Sequence, residues 1–598
     1  MPGISQRGNA VKKPLLSASG IWLAFLVAGC GSSDSNTGEE PSASPDTPVQ
    51  PSGPGLPAVG PTGQTGNPPT QPGLPATSGP VPTPVGPSGS VGPGPGDVPV
   101  SPTPDPSSPV TGPAPDTNAP PTPTGEPTAP VDTPTEPEVP LPVVLPELVT
   151  SGQGAYWQEG QLTEAQGGAT ITVNEAAERQ EWFGFGGTFN EAGWDALSVV
   201  EPADRARALQ LLFDARDGAH FAYGRIPIGA SDYALERYTL NDTPNDTAMT
   251  DFSIERDKQY LIPYIKESLK VNKSLHLWAS PWSPPAWMKT NNDLDGLRRS
   301  DQAQAKFRND ADVMKAFALY LALFVEKYAE EGLTIEAVHP QNEPGYATRY
   351  PSCLWDPPVL RDFIRDHLGP TFAQRNISAE IWLGTMSAPE DVSHVDTVMA
   401  DNTAKGYVKG IGLQWNTMSS VGTFSSKYGV PVIQTEHRCG NYPFNVPNTP
   451  AFNEVQPPND HAYGVESWWY IRDWLKAGVN SYSAWNMVLD TKGHNSDYQR
   501  PWPQNALLTV DRNTKQLNVT PAYYVFRHVS QFVDAGAKRL DVTGSTEALA
   551  FKNPDGGIVT VVHNPGGQAQ QVTLAAAGRT VQFSVPANGF ATVNLEQQ

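Results

Sequence analysis

The chain has 598 residues, 17% of them charged, with a formal net charge of −22 at pH 7. That acidic balance offers no electrostatic footprint for nucleic acid, and three cysteines in so long a chain do not make a disulfide framework. Length alone would allow several domains, but the composition shifts so sharply that only the part beyond about Tyr156 reads as globular.

At the N-terminus, Arg7, Lys12 and Lys13 precede an apolar run from Ile21 to Ala28, which closes as Leu26-Val27-Ala28-Gly29-Cys30. A basic start, a short apolar stretch and small residues before a cleavage point predict a secretory signal over 1–30. The run is too short for a permanent span. Cysteine directly after Ala-Gly resembles the bacterial lipobox, in which the thiol is diacylated and becomes the mature N-terminus. Several acyl groups hold a membrane stably where a single chain binds only marginally. The expectation is export across the inner membrane and attachment through Cys30 at the bacterial cell envelope or surface.

Residues 31–148 form a linker. Between Lys13 and Arg179 there is no Lys or Arg, and between Phe25 and Tyr156 no aromatic residue, while more than half of the 62 prolines lie here. With so few bulky apolar groups, burial cannot offset chain entropy, and the segment is expected to stay extended. In polyproline geometry, at ~3.1 Å per residue, its contour is on the order of 300 Å.

Beyond it, short apolar runs alternate with amphipathic helices. The strand candidates are Leu275–Trp278, Ile335–Val338, Ile381–Leu383, Gly410–Leu413, Val432–Gln434 and Tyr482–Trp485. The clearest helix is Ala311 to about Glu330, with Val313, Phe317, Leu321, Phe324 and Tyr328 on one face and Gly332 as its stop signal. Others span about 358–375 and 465–476. Alternation of this kind implies a parallel sheet, and six or more units favour a closed (β/α)8 barrel over 183–523. Gly184-Phe185-Gly186-Gly187 lacks the context of a phosphate-binding loop and reads as a tight turn. From about Tyr524 to Gln598, five strand-like runs separated by turns such as Asn553-Pro554-Asp555-Gly556 predict a small antiparallel β-sandwich. Residues 149–182, with Thr170–Val173, are expected to complete it.

Two carboxylates follow apolar strands: Glu343, in Val338-His339-Pro340-Gln341-Asn342-Glu343-Pro344, and Glu436, in Val432-Ile433-Gln434-Thr435-Glu436. Barrel enzymes carry their chemistry at the C-terminal strand ends. The two glutamates are 93 residues apart, close to three βαβ units of roughly 30 residues, which puts them on opposite sides of a barrel mouth. Retaining glycosidases need such a pair, one carboxyl protonated and one nucleophilic. Asn342 is a candidate for holding the sugar 2-hydroxyl, Trp282 and Trp485 for a sugar-facing wall, and Trp278 for core packing. Glu436, His437 and Cys439 crowd together, but no second histidine is spaced for zinc, and no Gly-x-Ser-x-Gly follows a strand. No metal or cofactor is expected. A surface carbohydrate-binding protein on an inactive barrel is the reading from another class, against which both carboxylates speak. Cys353 and Cys439 are left as a possible pair.

Several blocks together resemble glycoside hydrolase family 30. They are Trp182 to Gly187, Arg225-Ile226-Pro227, Ser231-Asp232-Tyr233, Ala279 to Lys289, Asn342-Glu343-Pro344, Arg361-Asp362-Phe363-Ile364, Leu368-Gly369-Pro370, Thr435-Glu436 and Ala484-Trp485-Asn486. They run in order from about 170 to 598. The resemblance implies a barrel fused to a β-sandwich built from both chain ends, and a retaining mechanism. In it Glu343 is the acid/base, Glu436 the nucleophile and Asn342 the partner of the 2-hydroxyl. Trp282 and Trp485 would line the −1 subsite, with Arg225 beside the nucleophile. Asn190-Glu191 stands where glucosylceramidases carry Thr-Asp, an Asp that holds distal sugar hydroxyls, so Glu191 is expected at the substrate. Gln414-Trp415-Asn416 stands where they carry His-Trp-Tyr, which makes Trp415 a further substrate contact. The partner implied is a carbohydrate or glycolipid of β-gluco configuration, with a β-xyloside or β-fucoside as alternatives within the family.

Overall fold

The computed structural model describes residues 144–296, 305–439, 460–497 and 503–596. The expected signal over 1–30, Cys30 and the expected linker as far as 143 lie outside the described residues. Eight parallel strands close into a barrel: β1 (Gly184–Thr188), β2 (Tyr223–Pro227), β3 (His276–Ser280), β4 (Ala337–Val338), β5 (Glu380–Met386), β6 (Val408–Gln414), β7 (Val432–His437) and β8 (Ser481–Asn486). All six strands expected from apolar runs are among them. Glu343 follows β4 and Glu436 lies in β7, three strands on, as the spacing predicts.

β1 corrects one expectation, because Gly184 to Gly187 is not a turn but the first barrel strand. Its glycines answer to neighbours rather than to a bend. A Cβ on Gly186 would strike the carbonyl oxygen of Tyr223, and one on Gly187 would strike the side chain of Met487. In this strand glycine marks close backbone approach.

The helix Ala311–Glu330 forms with the expected buried face. Asp310 caps its start by accepting from the Val313 amide at 3.2 Å. Its end is a Schellman motif: Gly332, at φ +80°, donates to Ala329 O, and Leu333 donates to Tyr328 O, both at 2.9 Å. Each large side chain on that face, removed from water, contributes about 1.5–3 kcal/mol. The second expected helix runs over Pro357–Gln374 with a π-helical middle, Phe363–Leu368, and the third over His461–Ala477.

The chain ends meet in one ten-stranded sheet. Its order is Ala155–Glu159, Leu148–Gly152, Gly589–Leu595, Ile558–Asn564, Ala548–Lys552, Lys538–Thr543, Ile171–Glu181, Gln570–Ala576, Arg579–Val585, Thr163–Glu164. As expected, strands from both ends of the folded region build it, and its pairings are antiparallel except that Ile171–Glu181 pairs in parallel with Gln570–Ala576. The sheet curls because its two halves bury one apolar core, in which Leu148 and Val593 share a cluster with Val572, Val581 and Phe583. A small third sheet, Val488–Asp490, Leu508–Asp511 and Gln516–Val519, follows β8 and was not foreseen. Cys353 and Cys439 are both buried and free, so the possible disulfide is absent. Among the described residues no helix is long and apolar enough to cross a membrane.

Candidate active site

Glu436 sits in a strand whose six residues are all buried. One of its oxygens forms an ion pair with Nη1 of Arg225, from β2, and the other accepts from Nε1 of Trp415 at 2.9 Å. Arg225 is itself fixed from three sides. Its Nε and Nη2 donate to Ser280 Oγ at 3.2 and 3.0 Å, and Nη2 also donates to Asn342 Oδ1 at 2.7 Å. Its guanidinium carbon lies 4.3 Å from the ring centre of Trp282, 5.2 Å from that of Trp278 and 5.6 Å from that of Trp485. Arginine suits this position because its planar fork can bind a carboxylate and pack between aromatic faces at once.

Asn342 Oδ1 is held by three donors: Arg225, Thr385 Oγ1 at 2.8 Å and Gln414 Nε2 at 3.3 Å. Their number fixes the amide orientation and leaves the Asn342 nitrogen as the group that donates to a ligand. Glu343 follows with φ +50°, in the left-handed region that a non-glycine residue adopts only when its surroundings demand it. Its amide donates to Thr385 O at 2.8 Å, and its Oε1 accepts from Gln414 Nε2 at 3.2 Å. Trp415 shares the strained backbone, at φ +49°.

The two carboxyls are unequal. Burial raises Glu343 to about 8, with the charge of Glu436 adding to the rise and only Gln414 opposing it strongly. Burial also raises Glu436, but Arg225, Trp415 and Gln414 all stabilise its anion. The surroundings thus favour the proton at Glu343 and the charge at Glu436.

Trp282 and Trp485 stack on each other, with ring centres 5.3 Å apart at 19°, and Tyr233 meets Trp485 edge-on at 5.6 Å. Trp278 packs against His339 at 4.6 Å. His437 lies against Tyr470 at 3.9 Å, and burial holds its pKa well below the usual value.

The structure thus brings Glu343, Glu436, Arg225, Asn342, Trp282, Trp415 and Trp485 together, but not Glu191. Its oxygens accept from Arg256 Nε at 2.9 Å, Arg256 Nη2 at 3.0 Å and the Leu235 amide at 2.8 Å. This partly buried ion pair ties the start of a helix to the loop after β2. The acid that shares the field of the pair is Asp232, quoted above within a motif but not singled out. It is raised well above the usual range by burial and then by Glu436. Gln414, Thr385 and Ser280 were missed as well; each closes or nearly closes a barrel strand, and that position was the available signal.

Residues 183–533 match the glycosyl hydrolase family 30 TIM-barrel domain and residues 536–593 the family's beta sandwich domain. The chain belongs to glycosyl hydrolase family 30, and is a glycosidase of that family. It is 27% identical over 473 residues to the lysosomal acid glucosylceramidase of Mus musculus, an alignment covering 73% of this chain and 86% of the relative. To the endo-1,6-beta-D-glucanase BGN16.3 of Trichoderma harzianum it is 25% identical, over 71% of this chain and 86% of the relative. Among solved structures, SrfJ from Salmonella typhimurium superimposes with a TM-score of 0.66 at 24% identity, over 75% of this chain and 99% of that one.

Proposed function

We propose that the protein hydrolyses β-glucoside-type bonds with retention, Glu436 acting as nucleophile and Glu343 as acid/base, outside the cytoplasm and tethered through Cys30. The unequal environment of the two glutamates carries this reading. Only Glu436 has a cation, an indole N–H and an amide gathered on it. An ionised carboxylate is what attack on the anomeric carbon requires, while a neighbour lifted to about 8 is protonated at neutral pH and ready to act as an acid.

In the first step Glu436 bonds to the anomeric carbon, the bond to the leaving oxygen breaks, and the Glu343 proton passes to that oxygen. In the second, water attacks the glycosyl-enzyme, gives a proton to Glu343 and frees Glu436. Asn342 would hold the 2-hydroxyl, whose contact strengthens at the transition state, and Trp282, Trp485 and Asp232 would shape the space for the ring. A β-gluco-configured sugar is favoured because the mouse and Trichoderma relatives are named for glucosylceramide and β-1,6-glucan. The tether rests on Ala28-Gly29-Cys30 and the proline-rich segment after it.

Azide tests the two roles. With Glu436→Gly, activity should fall by orders of magnitude, and azide entering from the vacated face should give a glycosyl azide of inverted configuration. With Glu343→Ala and a good leaving group, the intermediate should accumulate and azide should give a retained product. Exchanged outcomes would reverse the assignment, and net inversion by the wild-type enzyme would discard the mechanism. A panel of aryl β-glycosides tests the sugar; preference for xyloside or fucoside over glucoside would overturn it.

A further inference from the structure

One side chain at the centre of the site bears on both carboxyls yet takes no step in the two-carboxylate scheme. Gln414, the last residue of β6, is fully buried, and its strand lies between β5 and β7. Its nitrogen donates to Glu343 Oε1 at 3.2 Å and to Asn342 Oδ1 at 3.3 Å, while its oxygen accepts from Thr435 Oγ1 at 2.9 Å. We propose that Gln414 is a positioning residue that selects which oxygen of Glu343 carries the catalytic proton. The inference rests on the acid/base role given above to Glu343.

The argument is one of donors and acceptors. The carbonyl-type oxygen of a carboxyl group is a better acceptor than its hydroxyl oxygen, so the N–H on Oε1 favours the acid form in which Oε1 is the carbonyl-type oxygen and Oε2 bears the hydrogen. The amide cannot turn over without setting its own oxygen against Glu343 and Asn342 Oδ1, two acceptors, and losing the Thr435 hydroxyl. The donor is neutral at every working pH, so the selection holds whether Glu343 is protonated or ionised. The charged and titratable groups around Glu343 are Glu436 from β7, Arg225 from β2, Asp232 after β2, Asp391 after β5, and Tyr346 and Tyr350 on its own loop. All of them remain when Gln414 is replaced, and because Gln414 also stabilises the Glu436 anion, the acidic limb reports that contact while the alkaline limb reports the one to Glu343.

The test is the pH profile and leaving-group dependence of Gln414→Leu, with Gln414→Met, of similar length and also without a donor, measured beside it. An N–H bonded to a carboxylate favours the ionised form, and its removal raises the pKa. The descending alkaline limb of kcat/KM should therefore move upward, by about one pH unit for the loss of one such bond. Activity toward an alkyl β-glucoside, which needs full protonation of its leaving oxygen, should fall roughly tenfold more than toward an aryl β-glucoside with a good leaving group, since general acid catalysis is worth about 10²–10⁴. A merely structural role would lower both substrates by the same factor and leave the limb in place, and that result from whichever variant melts cooperatively would overturn the proposal. Failure of the wild-type protein to hydrolyse any aryl β-glycoside would instead remove the functional reading beneath it.

Discussion

The substitution Arg225→Met probes the balance on which the site depends. Arg225 is fully buried and Glu436 is 4% exposed, so no solvent stands ready to replace the lost charge. Removing one partner of a buried ion pair costs about 3–5 kcal/mol. A carboxylate can escape much of that by taking up a proton, and at 1.36 kcal/mol per unit the same energy amounts to a rise of about 2–4 pKa units. The acidic limb of kcat/KM reports ionisation of the nucleophile in the free enzyme, so it should climb toward the alkaline limb set by Glu343 near 8. The bell then narrows, and its maximum should fall roughly a hundredfold, one decade for each 1.36 kcal/mol lost. Arg225→Lys keeps the charge but not the forked contacts to Ser280 and Asn342, so its acidic limb should lie between the two. The assay is kcat/KM on an aryl β-glucoside from pH 4 to 9, with thermal melts at each pH. An acidic limb unchanged in a folded Arg225→Met would refute the reasoning, because Trp415 and Gln414 alone would then suffice to hold the anion.

Three further outcomes are expected. Wild-type kcat/KM should decline as pH rises through about 8, since Glu343 must be protonated to act and is lifted to that value by burial and by Glu436; a plateau to pH 10 would contradict it. Gly345→Ala would set a Cβ against Oδ1 of Asp391, whose other oxygen is fixed by the Ser387 and Ala388 amides at 2.9 and 3.1 Å; a loss of about 1–3 kcal/mol and an alkyl-over-aryl defect should follow, read by melting and by paired kinetics. Cys30→Ala should release the protein from membranes or block its processing, and a wild-type protein that takes up no fatty acid would end the tether reading.

How far the sequence revealed the molecule depended on whether a feature was local. The barrel was legible because each βα unit repeats the same pattern, and the positions of the glutamates were legible because strand ends and unit length fix them. The glycines of β1 misled because a glycine run in isolation looks like a turn. What makes it a strand is the Tyr223 carbonyl and the Met487 side chain, and Met487 lies 300 residues from Gly187. The ion pair of Glu191 was hidden in the same way, because its partner Arg256 lies 65 residues away. The parallel pairing of Ile171–Glu181 with Gln570–Ala576 leaves no trace in either segment's alternation, since period-two patterning is blind to strand direction.

The same distinction explains why the residues around the two glutamates do not show how they differ, a difference that in the sequence only the family resemblance implies. Glu343, Glu436 and Asp232 are three buried carboxyls, and the fully buried cation beside them is Arg225 alone among the described residues. One buried cation can neutralise one anion at short range. A second charge a few ångströms away would meet repulsion in a medium that screens it poorly, and it takes up a proton instead. Arg225 pairs with Glu436 and opposes there the rise that burial causes, whereas no ion pair opposes it at Glu343, which is lifted to about 8, and Asp232 is pushed well above the usual carboxylate range by burial and then by Glu436. In the mechanism proposed, acid and nucleophile are thus assigned by which carboxyl the single guanidinium touches. That choice is made by β2, β3 and β7 converging on one point, and the residues flanking either glutamate do not contain it.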